Sequence, residues 1–438
     1  MDDAFDAVIV GAGPAGSTAA ILLARAGWSV AVVEKQRFPR RKVCGECVAA
    51  SNLPLLEALG IGADFMEAAG PEQHRVALMF GERTVIADLP AASNLRYRWG
   101  RALGRETLDT LLLDAARSAG AVVLQPWAVH AIDGPAGAHR CEIRAIESDE
   151  KRTLRASLVI AANGSWEPLP SNRETRRIDR NPGDLFAFKA NFRGGALADG
   201  LLAVLAFDGG YGGMVVADQH VTTLACCVRR DRLDASRGEA PGARAGEVVE
   251  TLLKRECRGV EAALDAAQRD GAWLASGPLD PGIRLRDGDA LFRIGNAAGE
   301  AHPIIGEGMS MAIQSAWCLC GHLIASRRYA GVETDVAWQR GVRQRYVSDW
   351  RRQFTARLRL AAAFAYVAMR PAAFASVLGL VGQRPGLLTR AAAWSGKIRC
   401  VPDSVSIATL ASTTRTVGGV ALPAFVPRDA RHTPQDTP

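Results

Sequence analysis

The sequence predicts an α/β fold in which a discontinuous Rossmann-like domain is interrupted by an antiparallel β-sheet and followed by a helical C-terminal region. Three observations predict it. An apolar strand at 6–10 leads directly into a glycine-rich turn and a helix that ends near Gly27. A second glycine-rich turn, at 295–299, follows another predicted strand. Between these turns lie apolar segments typical of strands, at 186–192, 201–207, 214–217 and 221–228.

Length and composition exclude several classes of protein. A chain of 438 residues suits two domains, or one discontinuous core with a smaller partner. Hydrophobic residues make up 48% and charged residues 23%, which is typical of a folded protein rather than a disordered one. The net charge is +7, but no dense Lys/Arg run is interleaved with aromatic residues. Nucleic acid is therefore not expected as a partner.

The cysteines and the apolar segments indicate the compartment. Nine cysteines, scattered and odd in number, do not form a disulfide framework. Residues 1–6 are acidic and lead into an apolar strand, so we expect no signal peptide. The longest apolar stretch, 360–381, is broken by Arg370 and Pro371, which argues against a spanning helix. We expect a cytoplasmic protein, and peripheral membrane contact stays open.

The first turn has the pattern of a dinucleotide-binding loop, whose residues are Gly11, Ala12, Gly13, Pro14, Ala15 and Gly16. In this pattern the first glycine allows the tight turn, the second lets a pyrophosphate approach the backbone, and the third lets the helix pack on the strand. The N–H groups of the helix N-terminus attract the phosphates. Glu34 ends the next strand, 18 residues after Gly16, where a carboxylate accepts hydrogen bonds from a ribose.

Three further segments favour FAD over NAD, because an extended cofactor needs support along its whole length. They are 38–46, 104–109, and 295–299 with 303–309. Together with the first loop they resemble the flavoprotein group of aromatic hydroxylases, geranylgeranyl reductases and flavin halogenases, over residues 5–325. The Phe-Pro-Arg-x-Lys-x-Cys-Gly stretch from Phe38 is most similar to the geranylgeranyl-reductase-like branch.

The resemblance implies FAD as cofactor and NAD(P)H as the external reductant. It implies that Glu34 binds the adenosine ribose, Arg105 the pyrophosphate and Asn296 the ribityl chain. It also implies that the flavin ring lies close to Cys44, Gly45 and the backbone of Gly306, Gly308 and Met309. The predicted cofactor-binding set also contains Lys35, Arg41, Val129, Asn163 and Gly164.

Two positions depart from the family pattern. The family has Asp where this sequence has Asn296, which can still accept a hydrogen bond but carries no charge. The family's Asp-Gly pair after the long strand is Asn163-Gly164 here. In the hydroxylases that segment contacts both the flavin and the nicotinamide, so this departure concerns the use of NAD(P)H.

The resemblance also divides the chain into domains. The predicted boundaries are 1–70, 100–168 and 285–330 for the FAD-binding domain, 71–99 and 169–284 for the substrate-binding sheet, 331–400 for the helical region and 401–438 for a weakly ordered tail. Seven arginines between 340 and 359 decorate the helical region. They are interpreted as a solvated helix face, with an amphipathic membrane-binding element as the alternative.

Three residues are candidates for chemistry. His302 lies between the halves of the late flavin motif, where a histidine donates a proton or simply hydrogen-bonds. Tyr211 lies in a glycine-rich hairpin of the substrate sheet and either touches substrate or only forms the turn. Cys44 belongs to the Cys-Gly-Glu motif near the flavin ring.

Cys44 and Cys47 also form a Cys-x-x-Cys pair, typical of flavin disulfide reductases. Those enzymes need a second nucleotide-binding motif, and this sequence has none. We therefore interpret Cys47 as incidental. A metal would need two more ligands, so no metal site is predicted.

The flavoprotein resemblance leaves several reactions open. The first hypothesis is a monooxygenase that hydroxylates a hydrophobic aromatic or polyketide-like molecule, with oxygen as co-substrate, because hydroxylation needs few dedicated side chains. The alternative is reduction of a carbon–carbon double bond in a lipid or isoprenoid. A halogenase is less expected, because the sequence has no Trp-x-Trp-x-Ile-Pro string. A flavin electron-transfer protein without turnover of its own is a further class.

Overall fold

The computed structural model describes residues 3–165, 169, 180–286, 288, 290–330, 336–399, 402, 404–411, 416–417 and 420–421. Within these residues, two extended sheets lie against a set of long helices. The strands of the first sheet are β1 (Asp3–Val10), β2 (Val30–Val33), β7 (Val122–Leu124), β8 (Trp127–Asp133), β9 (His139–Ala145), β10 (Lys151–Ala161) and β18 (Phe292–Arg293). Their order is β7-β2-β1-β10-β9-β8, with β18 beside β10.

The centre of the first sheet is parallel, as a Rossmann-like domain requires. β1 pairs in parallel with β2 and with β10, and β10 pairs in parallel with β18. The last four residues of β1 and all of β2 are buried, because helices or strands cover both faces. The apolar runs at 7–10 and 30–33 thus reflect two-sided burial.

Helices pack on one face of this sheet around a common core. They are α1 (Pro14–Arg25), α4 (Arg105–Ser118), α8 (Gly308–Ala330) and α9 (Val336–Ala368). Pro14 opens α1, where its missing N–H costs nothing. The core between these helices and the sheet contains Ile9, Ile21, Leu112 and Trp317.

The second sheet has the order β15-β11-β14-β13-β12-β4-β5, with β16 beside β11. Its strands are β4 (Arg75–Phe80), β5 (Arg83–Asp88), β11 (Leu185–Arg193), β12 (Leu201–Phe207), β13 (Gly210–Val216), β14 (Thr222–Arg229), β15 (Gln268–Arg269) and β16 (Leu274–Ser276). The pairing of β4 with β12 is parallel, although the sequence predicts an antiparallel sheet. Between β4 and β12 the chain forms strands β7 to β10 of the first sheet. It then returns to the second sheet, where β12 pairs with β4 and runs in the same direction.

One face of the second sheet is covered by three helices, α5 (Arg230–Glu239), α6 (Ala245–Glu256) and α7 (Arg258–Leu264). The other face packs against α9 and the two helices that follow it, α10 (Pro371–Gln383) and α11 (Gly386–Trp394). A large cavity lies on this side, between the second sheet, these helices and the loops of the first sheet.

The remaining elements are short. They are α2 (Leu53–Ala58), α3 (Gly62–Ala68), α12 (Ser404–Ala411) and the strand pairs β3 (Cys47–Val48) with β6 (Arg101–Ala102), β17 (Gly282–Ile283) with β19 (Gly299–Glu300), and β20 (Thr416–Val417) with β21 (Val420–Ala421). Thus α12 and this last pair lie in the segment predicted as a weakly ordered tail. Apart from Pro402, the rest of that tail is outside the described residues.

Among the described residues, no single helix is long and apolar enough to cross a membrane. Taken together, α9 and α10 reach that length and apolarity, but the pair is bent by 106°. Most arginines of α9 are exposed or half-buried, as expected of a solvated face. Arg357 is the exception and is buried, at 2% exposure. It donates hydrogen bonds to the side chain of Gln314 and to the carbonyl of Arg399.

Candidate functional site

The glycines of the N-terminal loop differ in what surrounds them. Gly11 has a φ of +100°, which favours glycine. A Cβ on Gly16 would lie 1.9 Å from the carbonyl oxygen of Gly11, so only glycine lets α1 approach the turn. A Cβ on Gly13 would meet only Arg105, at 3.8 Å. The space in front of Gly13 is therefore open and faces a cation, which suits a phosphate.

Glu34 is buried at the end of β2 and closes the other side of the loop. Its Oε2 accepts a hydrogen bond from the N–H of Ala12 at 2.8 Å, and its Oε1 accepts one from the N–H of Gln36 at 3.0 Å. These contacts fix the carboxylate and leave lone pairs on each oxygen. Such a carboxylate can also accept the hydroxyls of a ribose.

A cluster of cations surrounds the open space at Gly13. Arg105 makes two 2.7 Å hydrogen bonds to Asp109, and Arg40 lies 3.4 Å from the same carboxylate. Burial works to lower the pKa of Arg105, but Asp109 raises it overall. Burial, followed by the charges of Arg105 and Arg40, lowers the pKa of Lys42 to about 8. The cluster thus carries positive charge that a pyrophosphate would compensate.

Two cavities meet at this cluster. A smaller one of about 350 Å³ is lined by Glu34, Lys35, Arg41, Val129 and Asn163. A larger one of about 590 Å³ extends to the late glycine-rich turn and the second sheet. Both are lined by Gly13, Lys42, Val43 and Ala162. The two cavities therefore adjoin at the cation cluster, and together they form a crevice that suits an extended dinucleotide with its pyrophosphate at the junction.

The late glycine-rich turn closes the far side of the crevice. Gly295 has a φ of +58°, and a Cβ there would lie 3.0 Å from the Cβ of Ala15 on α1. The Asn296 side chain donates a hydrogen bond to the hydroxyl of Ser165 at 2.8 Å, and this hydroxyl donates to Glu300 at 2.9 Å. The turn is thereby fixed against the loop at the end of β10.

A comparison with known families agrees with this geometry. The family model described as "FAD binding domain" matches residues 4–334, which is well over half of the chain. The chain belongs to this FAD-binding family. The crevice is the candidate site for the FAD of this family.

Three relatives of this FAD-binding protein are informative. A menaquinone reductase of Mycobacterium tuberculosis is 38% identical over 169 residues, which are 39% of this chain and 40% of that protein. The match thus spans two fifths of the relative. A digeranylgeranylglycerophospholipid reductase of Methanopyrus kandleri is 25% identical over 80% of this chain and 87% of its own. The structure of pqsL, a probable FAD-dependent monooxygenase from Pseudomonas aeruginosa, shares the fold, with a TM-score of 0.67, 21% identity, and coverage of 86% of this chain and 100% of its own.

The crevice brings together most of the residues that the sequence singled out. The members that line the larger cavity are Gly13, Pro14, Ala15, Cys44, Gly45, Arg105, Gly164, Tyr211, Asn296, Gly306, Gly308 and Met309. Gly11 lines the smaller cavity. Ala12, Gly16 and His302 line neither; Ala12 holds Glu34 and Gly16 packs against Gly11.

Tyr211 lines the larger cavity on the second sheet, and His302 lies beside it without lining the cavity. The Tyr211 hydroxyl lies 3.1 Å from Nδ1 of His302, and the two rings meet edge to face. Burial, together with the nearby Cys227 and Glu300, raises the pKa of Tyr211 well above its usual value. Burial lowers the pKa of His302. Tyr211 therefore stays protonated at neutral pH and presents its hydroxyl beside a neutral imidazole.

Cys44 and Cys47 have different environments and are both free thiols. Cys44 is half-buried, and its sulfur accepts a hydrogen bond from the N–H of Glu46 at 3.4 Å. Burial raises the pKa of Cys47 to about 11. Since the thiolate is the reactive form, Cys47 is a poor nucleophile at neutral pH.

Sequence reasoning missed a buried ion pair that joins the cofactor motif to the substrate sheet. Glu46 accepts hydrogen bonds from the ammonium of Lys189 and from the hydroxyl of Thr223. Its Oε1 also accepts the backbone N–H of Arg105 at 3.1 Å. The available signal was a single lysine in the otherwise apolar strand at 185–190. A buried lysine needs a buried acid.

The far end of the larger cavity is an apolar arm. Its walls come from the second sheet on one side and from α9, α10 and α11 on the other. The residues of this apolar arm are Val76, Leu78, Leu89, Leu202, Val204, Val215, Phe364, Val367, Phe374, Val377, Val381, Leu387, Leu388, Ala391 and Ala392. Aliphatic side chains predominate, so the arm suits a long apolar molecule.

Proposed function

We propose that this FAD-dependent oxidoreductase reduces a carbon–carbon double bond in a long apolar molecule of the lipid or isoprenoid type. The observation that carries the proposal is the apolar arm, which continues from the flavin-facing motifs to α10 and α11. An aromatic hydroxylase needs room for one ring, whereas this cavity extends along three helices. NAD(P)H is the proposed external reductant.

The names of two relatives support this choice. The menaquinone reductase and the digeranylgeranylglycerophospholipid reductase are both named as reductases of lipid-type molecules. The second of them aligns with 80% of this chain.

The residues around the cavity have three tasks in this reaction. The apolar arm binds the chain of the substrate and excludes water. The cation cluster and Glu34 hold the cofactor, which supplies a hydride to one alkene carbon when it is bound and reduced. The other carbon needs a proton, and Tyr211, which lines the cavity beside His302, carries a hydroxyl that can donate one. We assign Tyr211 as the proton donor, with His302 orienting its hydroxyl.

The second candidate is the monooxygenase. It is favoured by the polar end of the cavity, where Tyr211, Ser165 and Glu300 would orient a ring that carries a hydroxyl group. In that case oxygen is a co-substrate and the product gains an oxygen atom.

The mass of the product distinguishes the two reactions. The holoprotein, reduced with dithionite under argon, is mixed with a polyprenyl lipid and reduced free FAD serves as the control. We expect the flavin to reoxidise and the lipid to gain two hydrogen atoms, with at least tenfold slower turnover in Tyr211→Phe. In a parallel sample exposed to air with an aromatic substrate, addition of an oxygen atom to that substrate, while the lipid under argon stays unchanged, would contradict the proposal and support the monooxygenase.

A further inference from the structure

A buried ion pair joins the C-terminal region to the loop at 306–309, whose backbone is expected to face the pyrimidine edge of the flavin. Glu307 in this loop is fully buried. The Lys397 Nζ lies 3.2 Å from Oε1 of Glu307. Within the described part of the chain, neither carboxylate oxygen nor the ammonium makes a hydrogen bond. The two charges are thus withdrawn from water with little besides each other to compensate them.

The turn that carries Lys397 is held by buried polar contacts. The N–H of Ser51 donates a hydrogen bond to the carbonyl of Lys397 at 3.3 Å. The guanidinium of Arg357 donates to the carbonyl of Arg399 at 3.0 Å. Gly396 has a φ of +109°, and a Cβ there would lie 3.0 Å from Arg357. These contacts hold the backbone of the turn in place, and with it the position from which the lysine side chain starts.

The ammonium of Lys397 lies at the wall of the larger cavity, close to the cofactor loop. Lys397 lines this cavity together with Cys47 and Gly306. A Cβ on Gly306 would lie only 3.2 Å from Nζ of Lys397. A ligand that touches the loop backbone at Gly306 therefore comes close to a positive charge.

We propose that Lys397 is an electrostatic residue of the FAD site. Its ammonium lies at the pyrimidine edge of the flavin and stabilises the negative charge that the ring gains on two-electron reduction. Glu307 holds the ammonium there and offsets part of its charge. In a site of low dielectric constant a fixed charge at this edge shifts the redox equilibrium of the cofactor. The inference rests on the FAD site of the family and not on the double-bond reduction.

The redox properties of the bound FAD test this assignment independently of turnover. We compare wild type with Lys397→Met, Glu307→Gln and the control Arg399→Met, which removes an exposed cation from the same turn. The readouts are the midpoint potential of the bound FAD and its dissociation constant for sulfite, a probe that binds oxidised flavin more tightly near a positive charge.

The two variants should shift these readouts in opposite directions. Lys397→Met should weaken sulfite binding at least tenfold and lower the potential, where a tenfold change in a two-electron equilibrium corresponds to about 30 mV. Glu307→Gln should tighten sulfite binding and raise the potential. Arg399→Met should change neither.

Wild-type sulfite affinity and potential in Lys397→Met would overturn the assignment. Shifts of the same sign in both variants would also overturn it, because they would indicate a loosened site rather than a removed charge. If Lys397→Met does not retain FAD, Glu307→Gln decides alone: a raised potential supports the assignment and an unchanged one overturns it. Failure of the double-bond reduction leaves all of these readouts interpretable.

Discussion

Lys42 lies where the two cavities meet, and burial together with Arg105 and Arg40 lowers its pKa to about 8. A bound pyrophosphate favours the charged ammonium and raises that pKa, so FAD binding takes up a proton above about pH 8. We therefore expect FAD affinity to be constant at neutral pH and to fall above about pH 8, by at most tenfold per pH unit.

The Lys42→Met variant should bind FAD more weakly and lose this pH dependence, as measured by fluorescence titration of the apoprotein. Lys254→Met is the matched control, since Lys254 pairs with Glu250 on the surface of α6. An unchanged pH profile in Lys42→Met would show that the ammonium does not contact the cofactor.

At Cys44 and Cys47 the structure predicts asymmetry. Both thiols line the larger cavity, but Cys44 is half-buried, whereas Cys47 is buried and burial raises its pKa to about 11. Cys44→Ser should change the flavin spectrum or the rate, and Cys47→Ser should leave both near wild type. Turnover, spectra and thiol counts measure this. Equal and total loss in both variants, with two thiols appearing when the wild type is reduced, would instead establish a redox-active disulfide.

At the scale of elements, β11 is tied to the cofactor motif by the pair of Lys189 and Glu46. Glu46 has a φ of +60°, a region that disfavours residues with a Cβ, so its contacts must hold it there. Lys189→Met leaves this carboxylate buried without its cation, which should lower the free energy of unfolding by about 3–5 kcal/mol. Chemical denaturation measures the loss.

Two further variants separate the causes of this loss. The double variant Lys189→Met with Glu46→Gln should regain much of the stability, because no unpaired charge remains. The surface pair variant Lys254→Met should lose only about 0.3–0.5 kcal/mol. A loss in Lys189→Met no larger than in Lys254→Met would contradict a structural role for the buried pair.

Local signals made part of these elements predictable. The glycine-rich turns and the acid at 34 depend on residues close in sequence, so their geometry follows from spacing. The parallel pairing of β4 with β12 does not follow from local spacing, because more than a hundred residues separate the two strands in the sequence. The burial of Arg357 and the approach of Lys397 to Glu307 are likewise long-range: an arginine on a helix predicts a solvated face until its buried partners are known.

For the whole molecule, the apolar arm should set the length of substrate that is accepted. Ala392 on α11 lines the arm, whereas its neighbour Ala393 does not. Ala392→Trp fills space in the arm and should raise the KM for long polyprenyl substrates more than for short ones. Ala393→Trp is the control and should affect both equally. Equal effects of Ala392→Trp on long and short substrates would show that the chain binds elsewhere.

The account as a whole depends on the crevice formed by the two cavities, which is expected to hold one FAD with its flavin ring at the start of the apolar arm. The stoichiometry of FAD in the purified protein tests this most directly. Absorbance of the released flavin, divided by protein concentration after incubation with excess FAD and gel filtration, should give one FAD per chain. A protein that stays colourless after this treatment would contradict the account.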